Sequence, residues 1–203
     1  MRYWVVALVL LVPAPAYAIQ GATVEPKGGF LSFDYQNFQV GADHGRAYNL
    51  FAEYGLDEAT GVGISLYHLR SGSDRVTLTS AYAKLKMREH HGGRSQLAAY
   101  AGVQSRDLST PTEKLSRTGF ELGAVTSGSL NEGLRGLARL GADIYEDDTF
   151  IELELAAGLR ISAAELQAGY RSITSLRAAG PSSVHGLFLG VSIPFARVPP
   201  LRW

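Results

Sequence analysis

The chain is predicted to be all-β: a single antiparallel up-and-down transmembrane β-barrel of eight to ten strands. Three observations carry that prediction. Apolar residues alternate with polar or small ones at period two along most of the chain, the spacing of strands rather than helices. Past the N-terminal stretch, no run approaches the roughly eighteen consecutive apolar residues of a membrane-spanning helix. Most alternating runs have about the nine to eleven residues that cross a bilayer as a tilted strand.

Composition narrows the rest. A chain of 203 residues with 46% hydrophobic content has the size of one domain and is too apolar to remain disordered. Only 19% of residues are charged, and 19 basic residues balance 19 acidic ones, so no global field points to nucleic acid. There is no cysteine, which excludes disulfide scaffolds, thiolate zinc sites and cysteine nucleophiles.

The first residues read as an export signal. Arg2 precedes the apolar run Tyr3 to Val12, Pro13 and Pro15 break it, and Ala16-Tyr17-Ala18 is an A-x-A cleavage site. We expect a signal peptide over 1–18 cleaved after Ala18, a barrel over 19–195 and a C-terminal tail over 196–203. Export plus a transmembrane barrel places the chain in the outer membrane of a Gram-negative envelope.

Ten segments follow: 30–38, 46–56, 61–69, 75–87, 95–106, 117–127, 134–145, 149–161, 163–173 and 185–195. In the first, Leu31, Phe33 and Tyr35 oppose Ser32, Asp34 and Gln36. Tyr48, Leu50, Ala52 and Tyr54 form one face of the second, and Val62, Ile64 and Leu66 one face of the third. Leu97, Ala99, Ala101 and Val103 mark the fifth, and Phe120, Leu122 and Ala124 the sixth. The eighth is the clearest, with Ile151, Leu153, Leu155, Ala157, Leu159 and Ile161 against Glu152, Glu154, Gly158 and Arg160. Ala164, Leu166, Ala168 and Tyr170 repeat the pattern in the ninth, and Leu187, Leu189, Val191, Ile193 and Phe195 in the tenth. Two stretches fit a helix equally well, 80–90 by propensity and 134–145 by the spacing of Leu134, Leu137, Ala138 and Gly141. Strand neighbours and the lack of bracketing caps favour strands for both. With a periplasmic N-terminus, the two longest connections, 107–116 and 174–184, fall outside. The short ones at 57–60, 89–94, 128–133 and 162–163 fall inside.

Alternation alone leaves open which face meets lipid, since a soluble lipocalin-like barrel alternates with its apolar face inward around a ligand. Arg135, Arg139, Asp143, Glu152, Glu154, Arg160, Glu165 and Arg171 share the non-apolar face on three neighbouring strands. Inside a narrow barrel these charges can pair into a lumen network. Tyr35, Tyr54, Tyr82 and Tyr170 sit toward strand ends, where interfacial girdles occur. The last strand also resembles the C-terminal β-signal read by the outer-membrane barrel assembly machinery, with Gly190, Ile193 and Phe195 at the matching positions. It departs from that pattern in Pro194 and in the residues after Phe195; a proline there belongs at a strand terminus.

The stretch from Glu154 through Phe195 resembles the end of the YfaZ-like family of small outer-membrane barrels. Ala157-Gly158-Leu159-Arg160, Glu165-Leu166-Gln167-Ala168-Gly169-Tyr170-Arg171 and Leu189-Gly190-Val191-Ser192-Ile193-Pro194-Phe195 carry the likeness, over about a fifth of the chain. The resemblance implies a location and a fold, with no catalytic activity.

Five histidines are the available bases. His68 and Ser65 fall on opposite faces of one strand. His44, beside Asp43, and His185, near Ser182 and Ser183, would come together at the rim of a closed barrel, the arrangement a lipid hydrolase would need. No G-x-S-x-G elbow accompanies them. Glu89-His90-His91 lacks the further ligands a metal site requires. Lys84, Lys86 and Arg88 are candidates for contact with lipid phosphates.

The expectation is therefore a small outer-membrane barrel of structural, adhesive or narrow-channel type, with no catalysis, cofactor, metal or nucleic-acid partner. Its expected partners are outer-membrane lipid, lipopolysaccharide and the assembly machinery. The alternatives are the soluble lipocalin-like barrel and the rim lipid hydrolase.

Overall fold

A computed structural model describes residues 28–40, 43–90, 95–131, 133–162, 164–177 and 183–195. The signal peptide, the 196–203 tail, His91 and Ser182 lie outside the described residues, as does the His90 side chain. Among the described residues there are ten strands: β1 (Gly29–Val40), β2 (Asp43–Gly55), β3 (Thr60–Ser71), β4 (Asp74–His90), β5 (Ser95–Ser109), β6 (Lys114–Ser129), β7 (Leu134–Ile144), β8 (Thr149–Ile161), β9 (Ala164–Ser175) and β10 (Ser183–Phe195). Each pairs antiparallel with its sequence neighbours, and β1 pairs with β10 from Gly29↔Phe195 to Val40↔Val184, closing the barrel. Closure leaves no unpaired sheet edge, which is the condition a sheet must meet in lipid.

Both ambiguous stretches are strands. Residues 80–85 pair with both β3 and β5, and the ladder to β5 runs on to His90 with a bulge between Lys86 and Arg88. β7 pairs from Leu134↔Leu159 to Ile144↔Thr149 on one side and with β6 on the other. Local helix propensity is worth tenths of a kcal/mol per residue, roughly, and two ladders of hydrogen bonds outweigh it.

One expected loop is not a loop. In 107–116 the pairs Asp107↔Ser116, Leu108↔Leu115 and Ser109↔Lys114 continue the β5–β6 ladder, so only 110–113 turns. The segment looked polar because its outward residues are polar, while Leu108 and Leu115 face inward. The long connection after β9 shrinks to 176–182 and is the one long member of its side. Pro194 lies past Ser192↔Glu165, the last pair with β9, where its missing N–H costs no bond on that side.

The turn at 56–59 shows how a short connection is held. The Asp57 carboxylate accepts hydrogen bonds from the backbone N–H of Ala59 (2.8 Å) and Thr60 (2.7 Å) and from the Thr60 hydroxyl. The Thr60 bond, then the two backbone bonds, pull the Asp57 pKa below its ordinary value. A lowered folded-state pKa contributes stability above the unfolded value, and that contribution is lost as pH falls through the folded one. Carbon-13 titration of Asp57 is therefore expected to show a midpoint below that of a free aspartate, moving up in Thr60→Val.

The two faces are inverted relative to a water-soluble protein. Leu187 is 72% exposed, Leu189 69%, Phe120 66% and Ile64 62%, whereas Glu154 and Arg171 are each 2% exposed. Soluble monomers rarely expose contiguous apolar patches beyond a few hundred Å². Here the apolar face encircles the whole wall, an arrangement that lipid satisfies and water does not. The lipocalin-like alternative required this Leu/Val-rich face to point inward, and it points out. Charged side chains at outward register positions, such as Arg46, Arg70, Arg75, Asp107 and Lys114, gather at the end that carries the 41–42, 72–73 and 110–113 connections. Just below them Tyr48 packs against Tyr35 and Phe33, with ring centroids 5.3 and 6.3 Å apart. Tyr54 and Tyr170 also face outward, but Tyr82 belongs to the interior, where its hydroxyl donates to Glu53 (3.2 Å).

Candidate functional site: a lumen closed by ion pairs

Arg171 on β9 is the hub. Its guanidinium binds Asp34 of β1 through two parallel bonds (Nη1–Oδ1 3.1 Å, Nη2–Oδ2 3.2 Å) and Glu154 of β8 at 2.9 Å, with Glu152 at 3.7 Å. It also lies over the rings of Phe188 (4.8 Å) and Tyr67 (5.2 Å). Fork-to-fork pairing with carboxylates suits the fixed geometry of arginine. Asp34 is held further by Asn49 Nδ2, which donates to it at 2.9 Å. Gln36 donates to the backbone carbonyls of Arg171 and Gly186 (3.2 Å each) and accepts from the Tyr67 hydroxyl.

A second centre sits across the lumen. Arg139 of β7 pairs with Glu152 (3.4 Å), donates through Nε to the Tyr100 hydroxyl (2.9 Å) and stacks over that ring at 4.6 Å. Tyr100 reaches it by lying flat over Gly123 and Gly141, which face each other across β6 and β7. A Cβ at Gly123 would sit 2.6 Å from Tyr100 Cζ, so Gly123→Ala is expected to destabilise the barrel by about 1–3 kcal/mol through overpacking. The urea midpoint of refolding into lipid vesicles would register that loss.

Glu152 links the two centres, so five of the eight charges read from the sequence (Arg139, Asp143, Glu152, Glu154, Arg171) line one middle zone of the lumen. Arg135, Arg160 and Glu165 face the same interior nearer the 162–163 turn, with Arg160 opposite Glu165 across β8 and β9. Reading three neighbouring strands missed the far wall, namely Asp34, Glu53 and Lys84. Inward Gly186 and Gly190 let β10 lie close against β1: a Cβ at Gly186 would meet the Asn37 carbonyl, and one at Gly190 would meet Asp34 Cβ at 2.8 Å. Asp34 already lay on the polar face of its strand, so that signal was present. Lys84, expected at lipid phosphates, instead points inward, is buried and pairs with Glu53. Its position in an even-numbered inward register with Ser80 and Tyr82 explains the difference.

The middle of the lumen is consequently filled. The spaces left among Asn49, Tyr67, Glu121, Arg139, Glu152 and Arg171 hold about 30 Å³, and those beside Lys84, Tyr82 and Tyr100 about 10 Å³. Spaces of this size admit on the order of one to a few waters and no larger solute.

The rim histidines do not form the cluster considered for a hydrolase. His44 and His185 both lie opposite Gln39, one on each side of β1, two strand spacings apart, which is roughly 10 Å. Both take outward register positions. His185 Nδ1 is 3.3 Å from the Ser183 hydroxyl and its ring is 6.3 Å from that of Tyr170. His68 faces outward to Thr77 (2.9 Å), while Ser65 faces inward to Ser80 (2.8 Å). Among the described residues no group of three or more His, Cys, Asp or Glu side chains is placed to hold a metal ion. Of the three positions resembling an assembly signal, Gly190 lies opposite Asp34, Ile193 opposite Leu31 on the outer face, and Phe195 opposite Gly29 at the barrel's end.

An apolar outer wall, full closure and a charge-filled interior define a small β-barrel of the membrane type. No family model matches the chain, and no curated protein does. Among solved structures it is similar to the N-terminal β-barrel domain of OprF from Pseudomonas aeruginosa, with a TM-score of 0.45, 12% identity, and coverage of 82% of this chain and 97% of that one. It is also similar to Neisserial surface protein A (0.43, 12%, 83% and 97%). A third likeness is to Ail, the attachment invasion locus protein of Yersinia pestis (0.40, 15%, 84% and 100%).

Proposed function

We propose that this chain is an integral outer-membrane barrel with a closed lumen, acting as a structural or adhesive platform and neither as a general pore nor as an enzyme. The packing of the lumen carries the reading: the Arg171 and Arg139 centres leave room for waters only, on the order of one to a few. Open aqueous channels belong to much wider barrels. The export signal, cleaved after Ala18, and the positions Gly190, Ile193 and Phe195 support outer-membrane assembly by the barrel machinery. The YfaZ-like resemblance of Glu154 to Phe195 supports the same assignment. Lipopolysaccharide or another phosphate-bearing lipid suits the row Arg46↔Arg70↔Arg75, three outward cations in adjacent register. Like charges directly opposite one another across strands repel, and an anionic headgroup relieves that cost.

Planar-bilayer recording of the purified protein, with cell fractionation and a gel run with and without boiling, tests the proposal. The expected result is an outer-membrane protein that migrates faster unboiled and shows no unitary conductance. Stable conductance steps would overturn the closed-lumen reading, and a soluble periplasmic protein with no heat shift would overturn the membrane reading.

A further inference from the structure

The end of the lumen that carries the 72–73, 110–113 and 145–148 connections differs from its middle. Above the Arg139–Glu152 zone the inward residues become aliphatic: Leu69, Val76, Leu78, Leu108, Leu115, Ile173 and Val184, from β3, β4, β5, β6, β9 and β10. They surround a chamber of about 350 Å³, within the range of roughly 300–1,000 Å³ typical of small-molecule sites. Val76, Leu78, Leu115, Ile173 and Val184 face the interior yet are only half-buried, because their remaining surface borders this chamber. Apolar surface left to water inside the lumen is costly, at about 25 cal/mol per Å².

The charges at the mouth of the chamber are balanced. At its mouth Asp147 is held by Arg106 (3.2 Å to each oxygen) and Arg117 (3.7 Å), and its backbone carbonyl accepts from Arg177. Asp148 accepts from the Ser175 hydroxyl at 2.6 Å, and Glu146 is the third acid of this turn, against three guanidiniums. The Arg106 guanidinium is stacked over Tyr145 (4.4 Å) and Phe150 (5.0 Å) as well. At the floor the Tyr145 hydroxyl donates to Gln104, beside Asp143. An anionic guest would find the guanidiniums of the mouth already engaged, and a cationic one would find only Asp143, at the floor beside the Arg139 centre; either would have to give up its hydration. A hydrocarbon guest needs no counter-charge. The filled zone below prevents passage through the barrel.

We propose that this mouth chamber is a dead-end binding site for an uncharged, hydrocarbon-rich small molecule that enters from the end bearing these connections. It lies above the closed zone, so it goes beyond the platform reading and does not depend on any adhesive role.

Ile173 makes the test direct. Its side chain borders the chamber, whereas Ile64, Ile144, Ile161 and Ile193 lie exposed on the outer wall. The full chain, labelled at isoleucine δ1 methyls and held in lipid nanodiscs, would be titrated with 1-octanol, and separately with octanoate and octylammonium. The expected result is a saturable shift of Ile173 with 1-octanol, outer-wall methyls moving only in proportion to partitioning, and a weaker Ile173 response to both ions. Leu115→Trp, which fills the chamber, is expected to abolish saturation while leaving heat-modifiable migration intact. An Ile173 signal that does not shift, shifts in parallel with the outer wall, or saturates equally with the ions would overturn the proposal. Saturation that survives in a folded Leu115→Trp barrel would do the same. None of these outcomes bears on conductance, so failure here is distinguishable from failure of the closed-lumen reading.

Discussion

Arg171→Met is expected to destabilise the folded barrel by about 3–5 kcal/mol, the cost of breaking a buried ion pair by removing one partner. The loss is large because two carboxylates, not one, depend on this guanidinium. Asp34 and Glu154 are both buried and both bond to it directly. Met preserves the stem of the side chain as far as the position of Nε and much of its packing, so the effect measured is chiefly that of stranded negative charge. Adding Asp34→Asn and Glu154→Gln to Arg171→Met should recover a substantial part of the loss, since a neutralised site costs less than a half-paired one. Arg171→Lys should fall between, because an ammonium cannot match the paired oxygens of Asp34 while also reaching Glu154. Urea midpoints of refolding into lipid vesicles, read by the fraction migrating as folded protein, give these differences. A loss under about 1 kcal/mol for Arg171→Met would show that the hub is not holding the lumen together.

Leu155→Arg tests the outer wall. Leu155 is 50% exposed and lies mid-strand between Ala138 and Tyr170. In a lipid-facing wall an arginine near the bilayer midplane costs about 2–4 kcal/mol, falling to about 0–1 near the interface. On a water-facing surface the same change would stay within about 0.5 kcal/mol. Ser116→Arg, outward and at the charged end, is the internal control and should be nearly silent. The two variants together separate lipid from water as the solvent of this wall. A silent Leu155→Arg would reverse the assignment of solvent.

Much of this architecture was legible because period-two alternation is a local property. The strand 149–161 declared both of its faces within its own residues, and so did 185–195. The non-apolar face of 134–145 carried Arg135, Arg139 and Asp143, and these side chains point inward. What misled was also local. Residues 107–116 read as a loop because two paired strands happen to carry polar residues outward there, with only Leu108 and Leu115 to mark the inner side. Lys84 read as an interfacial cation because its neighbours Lys86 and Arg88 are basic, while its true partner, Glu53, lies two strands away.

The sequence alone therefore determined the strand class and which residues share a face, since each follows from spacing along a single strand, and it bounded the strand count at eight to ten. Tertiary structure decided which charges meet. Barrel closure brings β1 beside β10, so that Asp34 and Arg171, far apart in the chain, become partners across β10. It also decided where the lumen is filled and where it is not. The aliphatic residues of the mouth are scattered along six strands, one or two to each, and are unremarkable in their own segments. Only the curvature that points them at a common axis makes them a chamber, because volume between side chains is a property of several strands at once.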